Sequence, residues 1–95
     1  MAKFTTRVEL HGYLTADDYE TLHKEMASRG YIRTITNMDT NAEYQLPAAE
    51  YNLIKDCTVD DALHLAINAA KITGKKHSVL VTESINRRWI GLDEA

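Results

Sequence analysis

Four arginines are the side chains of this chain best suited to contact a phosphate group: Arg7, Arg33, Arg87 and Arg88. The planar guanidinium can grip a phosphate through two parallel hydrogen bonds and can stabilise charge that develops on it. Arg87 and Arg88 directly precede Trp89, the single tryptophan of the chain, and a tryptophan next to arginine can stack on a nucleobase. These four arginines are therefore the candidate RNA-binding residues.

Each candidate also has an interpretation without a ligand. Arg7 shares a face of a predicted strand with Glu9, so a cross-strand ion pair on a solvated sheet face is the competing account. Arg33 follows Tyr31 at strand spacing, the kind of sheet face on which RNA-binding domains stack bases, but the sequence does not tell which way that face points. Trp89 can stack a base, anchor a partner subunit or fold back over its own core, and the sequence leaves all three open.

The remaining reactive side chains predict neither a metal site nor a catalytic centre. The four histidines lie on four different predicted elements, with no pair at ligand spacing. Cys57 is the only cysteine, so no intrachain disulfide can form. Paired carboxylates at 17–18 and 60–61 stand where helices are predicted to begin, and capping explains them. We predict no metal and no cofactor, and the catalytic residues, if there are any, are unknown.

Charge and composition limit the classes of function. The 95 residues are 44% hydrophobic and 26% charged with a net charge of −3, which is typical of one small folded domain and excludes a disordered chain. No apolar run approaches the roughly 20 residues of a membrane span, and no signal peptide is visible, so we expect a soluble, cytoplasmic protein that does not enter a membrane. On an acidic protein any RNA site must be a local basic patch.

The elements that must position these side chains follow from periodicity. Alternation of apolar and polar residues predicts a strand over 4–10, and apolar residues at helical spacing predict a helix over 16–29. The other predicted strands are 31–36, 43–46 (interrupted at Pro47 and resuming over 49–53) and 77–82, with a second helix capped by Thr58 and a tail over 83–95. This βαββαβ order predicts a single α+β domain over 1–95 with a ferredoxin-like fold, in which both helices cover one face of a four-stranded antiparallel sheet.

Several segments resemble a bacterial domain family grouped with the GhoS antitoxin, formerly a domain of unknown function. The segments that carry the resemblance are 3–10 (KFTTRVEL), 26–31 (MASRGY), 46–51 (LPAAEY) and 75–81 (KKHSVLV). The resemblance implies a ferredoxin-like fold and endoribonuclease activity on messenger RNA within a toxin–antitoxin pair. It transfers no catalytic residue to a position of this chain.

Two other functions stay open beside RNA cleavage. One is an RNA-binding module that does not cut its ligand. The other is a non-enzymatic interaction domain of a phage or mobile element, acting as a homodimer or on a protein partner. A basic patch on the folded surface favours RNA, whereas an exposed apolar face without one favours a protein partner.

Overall fold

The computed structural model describes all 95 residues as five strands and two helices. In chain order these are β1 (Ala2–His11), α1 (Ala16–Ser28), β2 (Thr34–Thr36), β3 (Glu43–Gln45), β4 (Glu50–Lys55), α2 (Val59–Ile72) and β5 (Lys76–Glu83). The chain is therefore α+β, as predicted.

The main sheet is built around β1, which lies between β4 and β5 and is antiparallel to both. Its side chains alternate between the two faces, as the sequence pattern predicts. Phe4, Thr6, Val8 and Leu10 are buried on one face. Thr5 and Arg7 belong to the other, which we call the open face.

Both helices pack on the buried face of this sheet. α1 contributes Leu22 and Met26 to the core, and α2 contributes four alanines at positions 62, 66, 69 and 70. The small alanine side chains let α2 lie close to β1 and β5, since they keep no bulk between helix and strand. The prediction that the helices share one face is confirmed.

A buried hydroxyl pair joins the segment after α1 to the core. The Tyr31 hydroxyl accepts a hydrogen bond from Thr6 Oγ1 and donates one to the Ala62 carbonyl, both at 2.9 Å. Tyr31 therefore faces the helices, which settles the direction that the sequence left open.

The second and third predicted strands differ from expectation. Only 34–36 of the predicted 31–36 forms a strand, and it pairs with β3 in a separate two-stranded sheet. Residues 43–45 and 50–55 are two strands in different sheets, because Pro47 lacks an N–H and Ala49 adopts a left-handed conformation (φ 70°) that turns the chain. The main sheet thus has three strands rather than four. A single bridge between Ile32 and Asn52 continues it towards β2.

The tail over 83–95 has no periodic hydrophobic pattern in the sequence. Its end is anchored to the two-stranded sheet of β2 and β3. Gln45 N–H donates to the Asp93 carbonyl at 2.8 Å, and Ala95 N–H donates to the Glu43 carbonyl at 3.0 Å. Because the tail starts at the end of β5 and ends beside β3, it passes the open face on its way.

The two threonines at the helix starts cap to different extents. Thr58 Oγ1 accepts from the backbone N–H of Asp61 at 3.1 Å. The Thr15 hydroxyl is placed for the same capping box but accepts no such hydrogen bond, and it donates to Asp18 Oδ2 at 3.4 Å instead. In both helices the backbone N–H of the threonine donates to Oδ2 of the aspartate three residues further on. The distance is 2.8 Å to Asp18 and 3.1 Å to Asp61.

Thr58→Ala is therefore expected to lower the free energy of unfolding by about 1 kcal/mol, because an N–H of the first turn loses its acceptor. Thr15→Ala should lower it by less. Urea denaturation of the two variants measures both values, and equal losses would contradict the difference in capping.

Candidate nucleic-acid interface

Arg7 is the candidate whose charge is already neutralised. On the open face its Nε lies 2.7 Å from Glu9 Oε1, and its Nη1 lies 3.7 Å from Glu50 Oε2. The hydrogen bond and the charge of Glu9 raise the pKa of Arg7. The geometry of Arg7 is thus that of an ion pair on a solvated sheet face.

Arg87 reaches the open face from the tail. Its Nη1 donates to Asn52 Oδ1 at 2.7 Å and to Thr5 Oγ1 at 3.4 Å, and Asn52 is itself buried. None of the four ion pairs in the chain includes Arg87. Burial lowers the pKa of this guanidinium, so Arg87 is a half-buried cation held only by neutral oxygens.

Arg87, Arg88 and Trp89 line one side of a cleft between the tail and the β2–β3 hairpin. The cleft has a volume of about 490 Å³, and we call it the tail cleft. Lys3 at the start of β1 adds a third cation, and Asp39 is the only carboxylate in the lining. Like Arg87, neither Lys3 nor Arg88 forms an ion pair.

An aromatic pair stands in the same cleft. The rings of Tyr44 and Trp89 meet edge to face, with centroids 5.7 Å apart and planes inclined by 61°. Tyr44 belongs to β3, so the paired end of the tail holds the two rings together. Trp89 therefore folds back onto its own chain but still lines an open cleft with three cations.

Arg33 lies away from the tail cleft, in a groove beside α1 that also contains His23. The Tyr51 hydroxyl and His23 Nδ1 are hydrogen-bonded, and this is the only hydrogen bond that the hydroxyl makes. Burial raises the pKa of Tyr51 to about 12, so the phenol keeps its proton. Because the hydroxyl has no other hydrogen-bond partner, we assign it as the donor and Nδ1 of His23 as the acceptor. The neutral ring then carries its own proton on Nε2, which can donate to an anion but cannot accept a further proton there.

His23 gives the stability of the fold a pH dependence. Burial, followed by the nearby charge of Arg33, lowers the pKa of His23 below 6.5. Between the lowered pKa and 6.5 the unfolded chain binds more protons than the folded one, so the free energy of unfolding rises with pH through this window. The contribution is complete above the window and is lost as the pH falls through it.

His23→Gln removes the titrating ring and keeps an oxygen that can accept from Tyr51. On acidification from about pH 7.5 to about pH 5.5, a range that spans the titration of an ordinary histidine, the wild type should lose more stability than the variant. Thermal unfolding at both pH values measures the two losses. Equal losses would show that His23 does not titrate as described.

The site residues that the sequence did not reveal are Lys3, Tyr44, His23 and Tyr51. Lys3 and Tyr44 carry no local signal, because they reach the cleft only through the path of the tail. The spacing of His23 on α1 resembled that of any helix surface residue. Its partner Tyr51 lies 28 residues away along the chain, so no motif links them.

The structure and its comparisons add three findings on the class of protein. No group of three His, Cys, Asp or Glu side chains is placed to hold a metal ion. Neither helix has the length and apolar character that crossing a membrane requires. Comparison of the chain with protein-family models, with curated proteins and with solved structures finds no match.

Proposed function

We propose that this chain binds single-stranded RNA in the tail cleft, as an RNA-binding domain of the GhoS-like antitoxin type. The observation that carries the proposal is Arg87, a half-buried cation with no carboxylate partner at the wall of an open cleft. A buried charge is costly unless it is paired. A phosphate of the ligand would supply the missing anion.

The distribution of charge around Arg87 supports a small, specific site. The chain as a whole carries a net charge of −3, which gives no general attraction for nucleic acid. Lys3 and Arg88 concentrate positive charge in the tail cleft against the single carboxylate of Asp39. Arg7 does not contribute, because two glutamates already neutralise it.

The aromatic pair supports a single-stranded ligand. Base stacking on an aromatic ring needs an unpaired base, and it contributes about 1–3 kcal/mol per base. Trp89 provides such a ring beside the arginines, and Tyr44 holds it in place. A messenger RNA in its unpaired regions fits this chemistry.

The geometry supports binding of RNA more directly than cleavage. Cleavage by the adjacent 2′-hydroxyl requires a group that removes its proton. The tail cleft contains no histidine and offers Asp39 as its single carboxylate, and His23 has its Nδ1 occupied by the Tyr51 hydroxyl. Endoribonuclease activity, which the resemblance implies, is therefore a property to be tested separately from binding.

We also propose that the sheet is a ferredoxin-like sheet with a shortened fourth strand. The element order supports it, as does the position of β1 in the centre of the main sheet. Ile32 and Asn52 exchange two backbone hydrogen bonds, of 2.8 and 2.7 Å. The bridge beside β4 supports a fourth strand that is shortened to the residues just before β2.

Titration of Trp89 fluorescence with a short single-stranded RNA tests the function. Because Trp89 is the only tryptophan, its emission reports on the tail cleft alone, and stacking of a base should quench it. A duplex RNA of the same sequence should quench it much less. The products of the same incubation, separated by gel, show whether the RNA is also cut.

The second candidate is an interaction domain, and exposed isoleucines favour it. Ile85 and Ile90 are 93% and 95% exposed on the tail, where they would suit an apolar surface of a protein partner. In that case RNA leaves the emission of Trp89 unchanged at low salt. The fluorescence titration therefore separates the two candidates.

A further inference from the structure

β5 forms an uncovered edge of the main sheet. Ser84 N–H donates to the Lys3 carbonyl at 2.8 Å, and the register pairs Thr5 with Thr82 and Arg7 with Leu80. Since hydrogen-bonded pairs alternate along an antiparallel ladder, the even-numbered residues of β5 bond to β1. The odd-numbered residues at 77, 79, 81 and 83 direct their backbone groups outward, where no strand pairs with them.

At the opposite edge of the sheet, formed by β4, outward backbone groups do have partners. There the outward backbone groups of Asn52 are paired with Ile32, and the Asn52 side chain donates to the Thr34 carbonyl at 3.2 Å. β5 has no such cover and contains no proline over its eight residues. A long edge strand without these protections is a template for another strand.

The apolar side chains of β5 are also incompletely covered. Val79 and Val81 of β5 contact the core but are only partly buried. On the open face Leu80 is 65% exposed. The apolar side chains of β5 therefore continue to the edge on both faces of the sheet.

We propose that β5 pairs antiparallel with β5 of a second copy of this chain, with Leu80 of each copy opposite the other. In this register Val79 faces Val81, and His77 faces Glu83. All four outward residues of each strand then find partners. If one strand is shifted by two residues along the other, one outward residue of each strand loses its partner. In one of the two directions the shift also places Glu83 opposite Val79.

The resulting dimer has one continuous six-stranded sheet. The twofold axis runs through the Leu80 pair perpendicular to the sheet, so the helices of both copies lie on the same face. The partly buried Val79 and Val81 become covered by their counterparts. None of the four outward residues of β5 lines the tail cleft, so the dimer stands independently of RNA binding.

Sedimentation equilibrium of the wild type and of two variants tests the proposal. The wild type should be a dimer, and Leu80→Glu or Leu80→Lys should each weaken the dimer about tenfold or more, because like charges meet at the axis. An equimolar mixture of the two variants should restore the dimer, since opposite charges then face each other. Ile54→Glu, which places the same charge at a half-exposed position of β4 on the other side of the main sheet, is the matched control and should remain dimeric.

Each outcome decides the proposal. Dimerisation that is lost in both variants and regained in the mixture identifies this edge and this register. A wild type that is monomeric at every concentration overturns the proposal. Variants that dimerise as well as the wild type overturn it too, because the contact must then lie elsewhere.

Discussion

Replacing Met26 with alanine is expected to lower the free energy of unfolding by about 2–5 kcal/mol, the range for truncating a long buried side chain. Met26 on α1 is 0% exposed and belongs to the cluster that joins the helices to β1. Its removal leaves a cavity where α1 meets the segment that carries Tyr31, whose N–H bonds to the Met26 carbonyl at 3.1 Å. The surrounding rigid elements cannot collapse fully into such a space.

Met38→Ala is the matched control, because Met38 is 71% exposed in the turn before β3. The same atoms are deleted, but little apolar surface returns to water on unfolding, so the free energy of unfolding should stay within about 0.5 kcal/mol of the wild type. Urea denaturation measures both variants. Similar losses in the two would contradict the position of the core.

Replacing Arg87 and Arg88 together with alanine is expected to weaken RNA binding roughly 100-fold at low salt. A hydrogen bond to a charged group contributes about 1.5 kcal/mol or more, and about 1.4 kcal/mol is a factor of ten in affinity, so each arginine accounts for roughly tenfold. Lys71→Ala removes one positive charge from the exposed end of α2, outside the tail cleft, and should leave the affinity nearly unchanged. Arg33→Ala should behave like Lys71→Ala, because Arg33 lies in the other groove.

The stability of the double variant must be measured beside its affinity. Arg87 is the hydrogen-bond partner of the buried Asn52 oxygen, and leaving that oxygen unpaired lowers stability by about 1–3 kcal/mol. Arg88→Ala avoids this effect, because the Arg88 guanidinium bonds only to the exposed Arg87 carbonyl. If Arg88→Ala binds RNA as tightly as the wild type, Arg88 does not belong to the RNA site.

The elements with strong periodicity could be predicted from the sequence because their signals are local. The alternation in β1 and the apolar stripes of α1 and α2 follow directly from the geometry of strand and helix. The stretch around Pro47 could not be resolved in this way. Whether residues 43–45 and 50–55 continue one strand depends on their partners, and β3 pairs with β2 on one side and bridges to the end of the tail on the other.

Only part of the tail cleft could be predicted from the sequence, because its other contacts join residues that are distant along the chain. Arg87, Arg88 and Trp89 stand together in the sequence and were found as a motif. Asn52, which positions Arg87, lies 35 residues away, and Tyr44 meets Trp89 only because the tail crosses the open face. Arg7 is the opposite case, because its partner Glu9 is only two residues away. Strand alternation alone predicts that these two side chains share a face.

The salt dependence of RNA binding tests the central claim, that cations of the tail cleft hold the phosphates of a single strand. Wild type and Arg88→Ala are titrated with single-stranded RNA at several salt concentrations, with the emission of Trp89 as the signal. Three phosphate contacts, from Lys3, Arg87 and Arg88, predict that log K falls against log salt with a slope of roughly −2, which becomes shallower by about 0.7 in the variant. Absence of binding at low salt, or a slope that is the same in both proteins, would contradict the account.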